Sequence, residues 1–264
     1  MVNIQKAAVI GCGFVGSTIA YTLMQKGLFS EMVLLDANKA KAEGEAMDIS
    51  HGLPFTHAMD IYAGEYEDIA DASVVIITAG ANQKPGETRL DLVQKNAAIM
   101  RSIIKEIKRV NCEGILLIVS NPVDILTEVA LRESGFPKER VIGSGTVLDT
   151  ARLKYIISEK LDVDSRNVHA FIVGEHGDSE LAAWSCANIY GIKLQDFAKM
   201  RGYEHFAQDM EEVYKGVRDS AYEIIERKGA TYYGIGMAAE KIVEAIVRNS
   251  HTCLLYTSPS PRDV

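Results

Sequence analysis

An α/β fold with a doubly wound parallel sheet is predicted by two observations on the first half of the sequence. Short, continuous runs of Val, Ile and Leu recur there, as in strands that are buried on both faces of a sheet. Helix-like segments separate the runs, which is the alternation that parallel strands require. The predicted strands, in chain order, are Ala7–Ile10, Met32–Leu35, Ile61–Gly64, Ser73–Thr78, Ile115–Val119 and Val141–Ile142.

Two helices in this half have clear limits. Phe14–Lys26 is followed by Gly27, a residue type that commonly ends helices. Leu90–Val110 has helical periodicity, with its charged residues on one face. Both helices fit the crossover connections between parallel strands.

After about Gly145 the pattern changes, and a second domain of the α+β class is predicted. Its predicted elements are the helix Leu148–Leu161, the strand Val168–Val173, and the helices Tyr203–Arg227 and Tyr232–Arg248. We therefore predict a sheet domain at residues 1–145 and a second domain at residues 146–249.

The charge and composition exclude several classes of protein. The 264 residues carry a formal net charge of −8, from 28 Lys and Arg against 36 Asp and Glu, whereas a nucleic-acid binder needs a basic surface. No apolar run reaches the roughly 18–20 residues of a membrane span. The cysteine spacing suggests neither disulfides nor zinc, and we predict no metal role for His51, His57 or His205. A cytoplasmic protein without nucleic-acid or membrane partners is predicted.

A glycine-rich motif follows the first predicted strand. The segment Gly11–Gly16 reads Gly-Cys-Gly-Phe-Val-Gly and opens the first helix. Gly11 permits a tight turn, Gly13 lets backbone approach a pyrophosphate, and Gly16 lets the helix pack close to the strand. The motif alone also occurs in methyltransferases and in simple tight turns.

The second strand ends in an acid that refines this interpretation. Asp36 lies 20 residues after Gly16. A carboxylate at that position accepts hydrogen bonds from ribose hydroxyls and repels a 2′-phosphate, whereas the other interpretation is a solvated strand-end carboxylate. Motif, strand and spacing together predict a Rossmann domain that binds NAD rather than NADP.

Four further segments follow the glycine motif along the chain: Gly80–Arg89, Ser120–Asp124, Leu148–Arg152 and Gly174–Asp178. With the glycine motif, they closely resemble the lactate/malate dehydrogenase family, in particular its bacterial L-lactate dehydrogenases. The resemblance covers roughly residues 4–249. It implies a Rossmann domain followed by an α+β substrate domain, and NADH-dependent reduction of pyruvate to (S)-lactate.

The resemblance assigns the catalytic roles, and the chemistry explains the residue types. His176 is implied as the proton donor and acceptor, since imidazole titrates near neutral pH. Asp149 would orient the imidazole and raise its pKa. Arg152, on the same helical face as Asp149, would bind the substrate carboxylate. Arg89, beyond a loop with Gly and Pro, would polarise the ketone when the loop closes.

The remaining site residues also rest on the resemblance. The implied substrate contacts are Gln83, Asn121 and Thr231. The implied cofactor contacts, besides the three glycines and Asp36, are Val15, Lys41, Tyr66, Gly80, Ala81, Ser120, Asn121, Ser144 and Ile235.

Substrate choice depends on Gln83. The family's malate enzymes present an arginine there, which pairs with the second carboxylate of oxaloacetate. A neutral Gln offers that group no cation, and an unpaired buried carboxylate is costly, so Gln83 favours pyruvate. Malate or 2-hydroxyisocaproate dehydrogenase remains the alternative within the family.

The resemblance also implies assembly and regulation. A homotetramer is expected, and bacterial members are often activated by fructose 1,6-bisphosphate bound between subunits. The family's Arg and His at that site correspond to Lys154 and His169 here, so a lysine replaces the arginine. Lysine still pairs with a phosphate, though as a point charge.

Residues 250–264 depart from the family pattern. Pro259 and Pro261 prevent a helix or central strand, and Cys253–Asp263 is one translation of a DNA string that resembles the end of a sequencing-library adapter. We therefore interpret residues 250–264 as a non-native tail, with a disordered terminus as the alternative. We therefore expect a substrate domain that is incomplete at its C-terminus and a weakly stable chain. The alternative outcome is an inactive fragment that only binds dinucleotide.

Overall fold

The computed structural model describes residues 1–81 and 88–254 and divides into two compact units. The first unit contains Met1–Ser144 and Tyr232–Thr252, and the second contains Gly145–Thr231. Gln83 and residues 255–264 of the predicted tail lie outside the described residues, and only the backbone of Arg89 is described.

Strands and helices alternate up to Gly143, and helices with two-residue strands follow. The strands are β1 (Asn3–Ile10), β2 (Glu31–Leu35), β3 (Asp60–Ala63), β4 (Ala72–Ile77), β5 (Ile115–Ile118), β6 (Val141–Gly143), β7 (Val168–His169), β8 (Ile172–Val173), β9 (Leu181–Ala182), β10 (Asn188–Ile189) and β11 (Ile192–Lys193). The α-helices are α1 (Phe14–Lys26), α2 (Lys39–Ser50), α3 (Arg89–Arg109), α4 (Val123–Ser134), α5 (Val147–Leu161), α6 (Leu194–Met200), α7 (Phe206–Lys228) and α8 (Tyr233–Val247). Across the described residues, no helix is long and apolar enough to cross a membrane.

The first unit is built on one parallel sheet. Its strands lie in the order β3-β2-β1-β4-β5-β6 within the described residues. From β1, the strands β2 and β3 are added toward one edge of the sheet, and β4, β5 and β6 toward the other, as in a doubly wound fold. The residues of β1 and β4 that face the helices, such as Val9 and Ile76, are fully buried. The predicted fold class is confirmed.

The carboxyl ends of the central strands finish level with one another. Ile10 of β1 pairs with Leu35 of β2 and with Ile77 of β4, and Ile77 pairs with Ile118 of β5. The residues that follow these strands therefore leave the sheet at a single edge. Ligands bind at this edge in open α/β sheets, next to the point where the strand order reverses.

Two helices of the first unit were not predicted. α2 buries mainly small residues, Ala42 and Ala46 with Ile49, so its sequence lacks a strong apolar stripe. α4 begins directly after Pro122, in a segment whose Asn-Pro pair is typical of a turn. Packing against β3 and α3, respectively, stabilises these helices in the tertiary structure.

The predicted strand Val168–Val173 is divided in two. β7 pairs with β10, whereas β8 pairs with β9 in a different sheet. Between them, the carbonyl of Phe171 accepts a hydrogen bond from Ala183 N at 2.9 Å. The apolar run is continuous in the sequence, but its backbone partners come from two separate segments.

α8 belongs to the first unit, whereas the sequence-based division assigned residues up to 249 to the second domain. α8 packs along α1, where Gly236 allows close approach to Thr18. Lys26 at the end of α1 forms ion pairs with Glu244 at 3.1 Å and Glu240 at 3.5 Å. These contacts are distant in sequence, so helix periodicity alone does not reveal them.

The second unit has its own apolar core. α5 packs against α7, and both contribute buried residues such as Leu153, Ile157 and Val217. The short strands add Val168 and Ile172 to this core. The core holds α5, which carries the predicted catalytic Asp149 and the predicted substrate-binding Arg152, in a defined position.

We predict that Gly236→Ala destabilises the protein and that Gly44→Ala stabilises it. A Cβ on Gly236 would lie 2.5 Å from Thr18 Cγ2, and the Thr18 hydroxyl is held by a 2.6 Å hydrogen bond to the carbonyl of Phe14. A Cβ on Gly44 meets nothing within 4 Å, so only the helix propensity of Ala acts there. Urea denaturation should show a free energy of unfolding about 1 kcal/mol lower for Gly236→Ala and about 0.5–1 kcal/mol higher for Gly44→Ala. A change of the same sign in both variants would contradict the packing argument.

Candidate active site

The glycine motif forms a tight loop between β1 and α1. Gly11 has a φ of +103°, and a Cβ on it would lie 2.6 Å from Ala79 N. A Cβ on Gly16 would lie 1.8 Å from the carbonyl oxygen of Gly11, so both positions require glycine. Gly13 differs, because a Cβ there would meet no protein atom within 4 Å. The open side of the loop at Gly13 is where a pyrophosphate can approach the backbone.

The first turn of α1 adds a binding feature for an anion. Gly13 is its N-cap, no side chain caps the turn, and no acidic residue lies in it. The Ser17 hydroxyl donates to the carbonyl of Gly13 at 2.9 Å and so ties the loop to the first turn of α1. The free backbone N–H groups and the helix dipole both favour negative phosphate groups at this end.

Asp36 is held in place by two backbone N–H groups. Cys12 N donates to Asp36 Oδ2 at 2.7 Å, and Asn38 N donates to Oδ1 at 2.9 Å. Each carboxylate oxygen retains a further lone pair that can accept from a ribose hydroxyl. Lys41 lies exposed in the first turn of α2, and its backbone N–H is capped by Asn38.

A buried asparagine that the sequence analysis missed connects two of the loops at the sheet edge. Asn96 on α3 accepts from Ala81 N at 2.8 Å and donates to the carbonyl of Asn121 at 2.8 Å. The Ser120 hydroxyl donates to the carbonyl of Ala79 at 2.7 Å and ties the same loops together. The polar Asn96 interrupts the apolar face of an amphipathic helix, and this interruption could have revealed its buried hydrogen-bonding role from the sequence.

The other residues predicted to bind the cofactor also lie in the first unit. Gly80 and Asn121 are exposed, Val15, Tyr66 and Ile235 are half-buried, and Ser144 is buried directly after β6. The glycine loop, the uncapped turn and the oriented Asp36 fit an NAD molecule. The side chain of Arg89, at the start of α3, lies outside the described residues, as does Gln83.

In the second unit, the buried carboxylate of Asp149 contacts two cationic groups. Asp149 Oδ2 lies 2.6 Å from His176 Nδ1, and Oδ1 accepts from Arg152 Nη1 at 2.9 Å. Asp149 and Arg152 meet because they are three residues apart on α5. The predicted association of these three side chains is therefore present in the structure.

The contacts shift the proton affinities of this group. The hydrogen bond with Asp149 raises the pKa of His176 above its ordinary value, although burial acts in the opposite direction. Burial raises the pKa of Asp149, but the contacts with His176 and Arg152 outweigh burial and hold this pKa below its ordinary range. Both shifts favour an ionised Asp149 next to a protonated His176.

Two threonines of the second unit orient α5 relative to the strand that precedes His176. The buried Thr146 hydroxyl donates to the carbonyl of Ile172 at 2.7 Å. Thr150 Oγ1 accepts from Ile172 N at 3.0 Å. These bonds connect the first turn of α5 to β8, only four residues before His176. The short distance between Asp149 and His176 depends on this connection.

The loop that carries His176 is also held in place by its glycines and by a contact with α7. Gly174 and Gly177 have φ values of +99° and +129°, which glycine tolerates best. Tyr214 on α7 donates a hydrogen bond to the carbonyl of Glu180, where the loop ends. Glu180 itself is buried beside Asp149 and His176 and was not predicted as a site residue. Its position in the loop sequence gave no sign of burial.

The remaining predicted residues lie elsewhere in the second unit. Lys154 is half-buried on α5, where burial lowers its pKa, and His169 is exposed on β7. Thr231 is half-buried at the end of the unit, after α7.

Comparison with known families agrees with both halves of this geometry. A model described as "lactate/malate dehydrogenase, NAD binding domain" matches residues 5–143, and one described as "lactate/malate dehydrogenase, alpha/beta C-terminal domain" matches residues 146–259. The chain belongs to the lactate/malate dehydrogenase family. The first match includes the glycine loop and Asp36, and the second includes Asp149 and His176.

Curated members of the family are similar over most of the chain. The L-lactate dehydrogenase of Acetivibrio thermocellus is 55% identical over 255 residues, which are 97% of this chain and 80% of that protein. The L-lactate dehydrogenase of Priestia megaterium is 54% identical over 254 residues, which are 96% of this chain and 80% of that protein. These similarities support NAD-dependent L-lactate dehydrogenase activity.

Solved structures of the family have the same fold. A lactate dehydrogenase from a Medee basin deep-sea metagenome library superposes with a TM-score of 0.94 at 52% identity, covering 98% of this chain and 82% of that one. The minor L-lactate dehydrogenase of Enterococcus mundtii, in its ligands-bound form, has a TM-score of 0.94 at 46% identity, with coverages of 97% and 82%.

We predict that Gly13→Ala weakens NADH binding without disturbing the fold. The new Cβ would meet no protein atom within 4 Å but would occupy the open side of the loop. Fluorescence titration should show a dissociation constant for NADH raised about tenfold or more, which corresponds to at least about 1.4 kcal/mol. Gly16→Ala serves as the contrast, because its Cβ clashes with the backbone and should lower both NADH affinity and the melting temperature. Unchanged NADH affinity in Gly13→Ala would contradict the assignment of this loop.

Proposed function

We propose that this chain reduces pyruvate to (S)-lactate with NADH, and catalyses the reverse oxidation, with His176 as the proton donor and acceptor. The observation that carries this assignment is the 2.6 Å contact between His176 Nδ1 and the buried carboxylate of Asp149. Dinucleotide binding alone needs no such pair, so the arrangement favours an enzyme over a binding module.

Asp149 prepares His176 for this role. By accepting the Nδ1 proton, it fixes the orientation of the ring and leaves the transferable proton on Nε2. The raised pKa of His176 favours the protonated ring, which can donate to the ketone oxygen as negative charge develops there. When bound, NADH supplies the hydride to the carbonyl carbon. One hydride and one proton give lactate and leave His176 neutral.

Arg152 is the proposed partner of the substrate carboxylate. Its Nη1 contacts Asp149, and the planar guanidinium has further N–H donors for a bidentate contact. By family resemblance, we assign polarisation of the ketone to Arg89, a hydrogen bond to the substrate to Asn121, and part of the pocket lining to Thr231. Together these residues would bind the substrate carboxylate and polarise its ketone, as reduction of a 2-oxo acid requires.

For the cofactor, the glycine loop is the proposed pyrophosphate site and Asp36 the partner of the ribose hydroxyls. Ile235 is assigned to the nicotinamide by resemblance. The remaining proposed contacts are those of Val15, Lys41, Tyr66, Gly80, Ala81, Ser120, Asn121 and Ser144.

Gln83 is the proposed determinant of substrate choice, on sequence grounds. It offers no cation for the second carboxylate of oxaloacetate, so pyruvate is favoured over oxaloacetate. A dehydrogenase for malate or for 2-hydroxyisocaproate is the competing proposal within the family.

Parallel assays of NADH oxidation with pyruvate, oxaloacetate and 2-oxoisocaproate test this proposal. We expect pyruvate to give the highest kcat/KM. Gln83→Arg should lower the ratio of kcat/KM for pyruvate to that for oxaloacetate by about 100-fold, because the new cation pairs with the second carboxylate. Gln94→Arg, which adds the same charge at an exposed position of α3, is the matched control. A preference for oxaloacetate in the unmodified protein, or an unchanged ratio in Gln83→Arg, would overturn the assignment.

We further propose a cytoplasmic homotetramer that fructose 1,6-bisphosphate activates through Lys154 and His169. Burial lowers the pKa of Lys154, so its ammonium group gains from an anionic partner such as a phosphate. His169, exposed on β7, supplies a second group that can bind a phosphate when protonated.

Pyruvate saturation curves with and without the bisphosphate test this activation. The effector should lower the pyruvate concentration at half-maximal rate, and Lys154→Met should abolish the shift while retaining basal activity. An identical curve with the effector in the unmodified enzyme would refute the regulatory proposal without affecting the catalytic one.

A further inference from the structure

Glu180 is a buried acid that has no role in the mechanism described above. The residue is 4% exposed, and a carboxyl oxygen lies within 4.8 Å of a carboxylate oxygen of Asp149 and of a ring nitrogen of His176. The carboxyl groups of Glu180 and Asp149 are therefore neighbours in a region that is shielded from water. Two buried carboxylates at this distance repel each other, so one of the two groups holds its proton to a higher pH.

We propose that Glu180 is a positioning residue whose carboxyl group, buried next to Asp149, sets the pH range over which His176 stays protonated. This inference rests on the proposed proton transfer by His176. It assigns Glu180 no contact with substrate, so the residue acts through the imidazole and not on the reacting atoms.

The charges that face Glu180 from α5 and from its own loop are few. A carboxylate oxygen of Asp149 lies within 4.8 Å of Glu180, and Asp149 Oδ1 is paired with Arg152. His176, on the same loop, is the nearby group whose charge changes during the reaction. A negative charge on Glu180 therefore acts chiefly on the proton of His176.

α7 presents a phenol and a guanidinium on the other side. The Tyr214 hydroxyl donates to the backbone carbonyl of Glu180, and burial raises the pKa of Tyr214, so this group stays neutral near pH 7. The Arg218 guanidinium lies 5.2 Å from the centre of the Tyr214 ring and is exposed to solvent. Neither group neutralises the Glu180 carboxyl directly.

The direction of the effect follows from the ionisation of Glu180. Burial, together with the charge of Asp149, raises the pKa of Glu180 to about 7. Below this pH the carboxyl group is mainly neutral, and above it the carboxylate adds a negative charge near His176. That charge raises the pKa of His176, so the imidazole keeps its proton to a higher pH than Asp149 alone would allow.

The test is Glu180→Gln, which resembles the protonated form of Glu180 at every pH. We expect the alkaline limb of kcat/KM for pyruvate reduction to move to lower pH by about one unit, because His176 loses its proton earlier. The acidic limb of lactate oxidation, which needs neutral His176, should move to lower pH by the same amount. Reduction above pH 7 then falls while oxidation below pH 7 rises, whereas a merely structural defect lowers both.

Two matched variants accompany this measurement. Glu180→Asp retains the carboxyl and should keep both limbs closer to their original positions. Glu211→Gln removes a carboxylate from an exposed position of α7 and should leave both profiles unchanged. A shift in Glu211→Gln equal to that in Glu180→Gln would assign the effect to net charge and overturn the proposal.

A titration of His176 that needs no turnover separates this inference from the proposed function. The ¹³C resonance of His176, assigned by its absence in His176→Gln, should titrate about one unit lower in Glu180→Gln. If Glu180→Gln does not fold, the unmodified protein decides: its His176 resonance should show a second inflection near pH 7. An identical titration in the two proteins, or a single inflection in the unmodified one, overturns the role of Glu180. Failure of the unmodified protein to reduce pyruvate instead overturns the proposed function.

Discussion

The buried carboxylate of Asp149 is the interaction on which the candidate catalytic group depends. A carboxylate that is 2% exposed is costly unless it is paired, and here it contacts His176 on one oxygen and Arg152 on the other. The same charge therefore aligns two side chains with different proposed tasks, proton transfer and carboxylate binding. Thr146 and Thr150 make this pairing possible, because they hold the start of α5 against the strand that precedes His176.

In the first unit, the glycine loop brings backbone close to the position that a dinucleotide pyrophosphate would occupy. Gly11 and Gly16 are required by close contacts within the protein, whereas Gly13 leaves space on the open side of the loop. The loop is further fixed by Cys12 N, which donates to Asp36, so the pyrophosphate and ribose features are coupled by one hydrogen bond. Such preorganisation reduces the ordering that a bound dinucleotide would otherwise have to impose.

The pKa of Asp149 is lowered and that of Glu180 is raised, and the charges next to each group explain the difference. Both Asp149 and Glu180 are buried, which by itself raises a carboxyl pKa. Asp149 contacts two cationic groups that outweigh burial, whereas Glu180 faces the negative charge of Asp149, which adds to it. Neighbours, rather than residue type, therefore decide which acid is charged near neutral pH.

Local patterns in the sequence were sufficient for the strand runs of the first unit, the glycine motif, and the placement of Asp149 and Arg152 on one face of a helix, since all of these depend on spacing along one element. The family resemblance added His176, whose contact spans 27 residues of chain. Only the tertiary structure decided the division of Val168–Val173, the place of α8 in the first unit, and the inward positions of Asn96 and Glu180. These features arise from burial and from partners distant in the chain, and an isolated polar residue carries no mark of whether a fold will surround it.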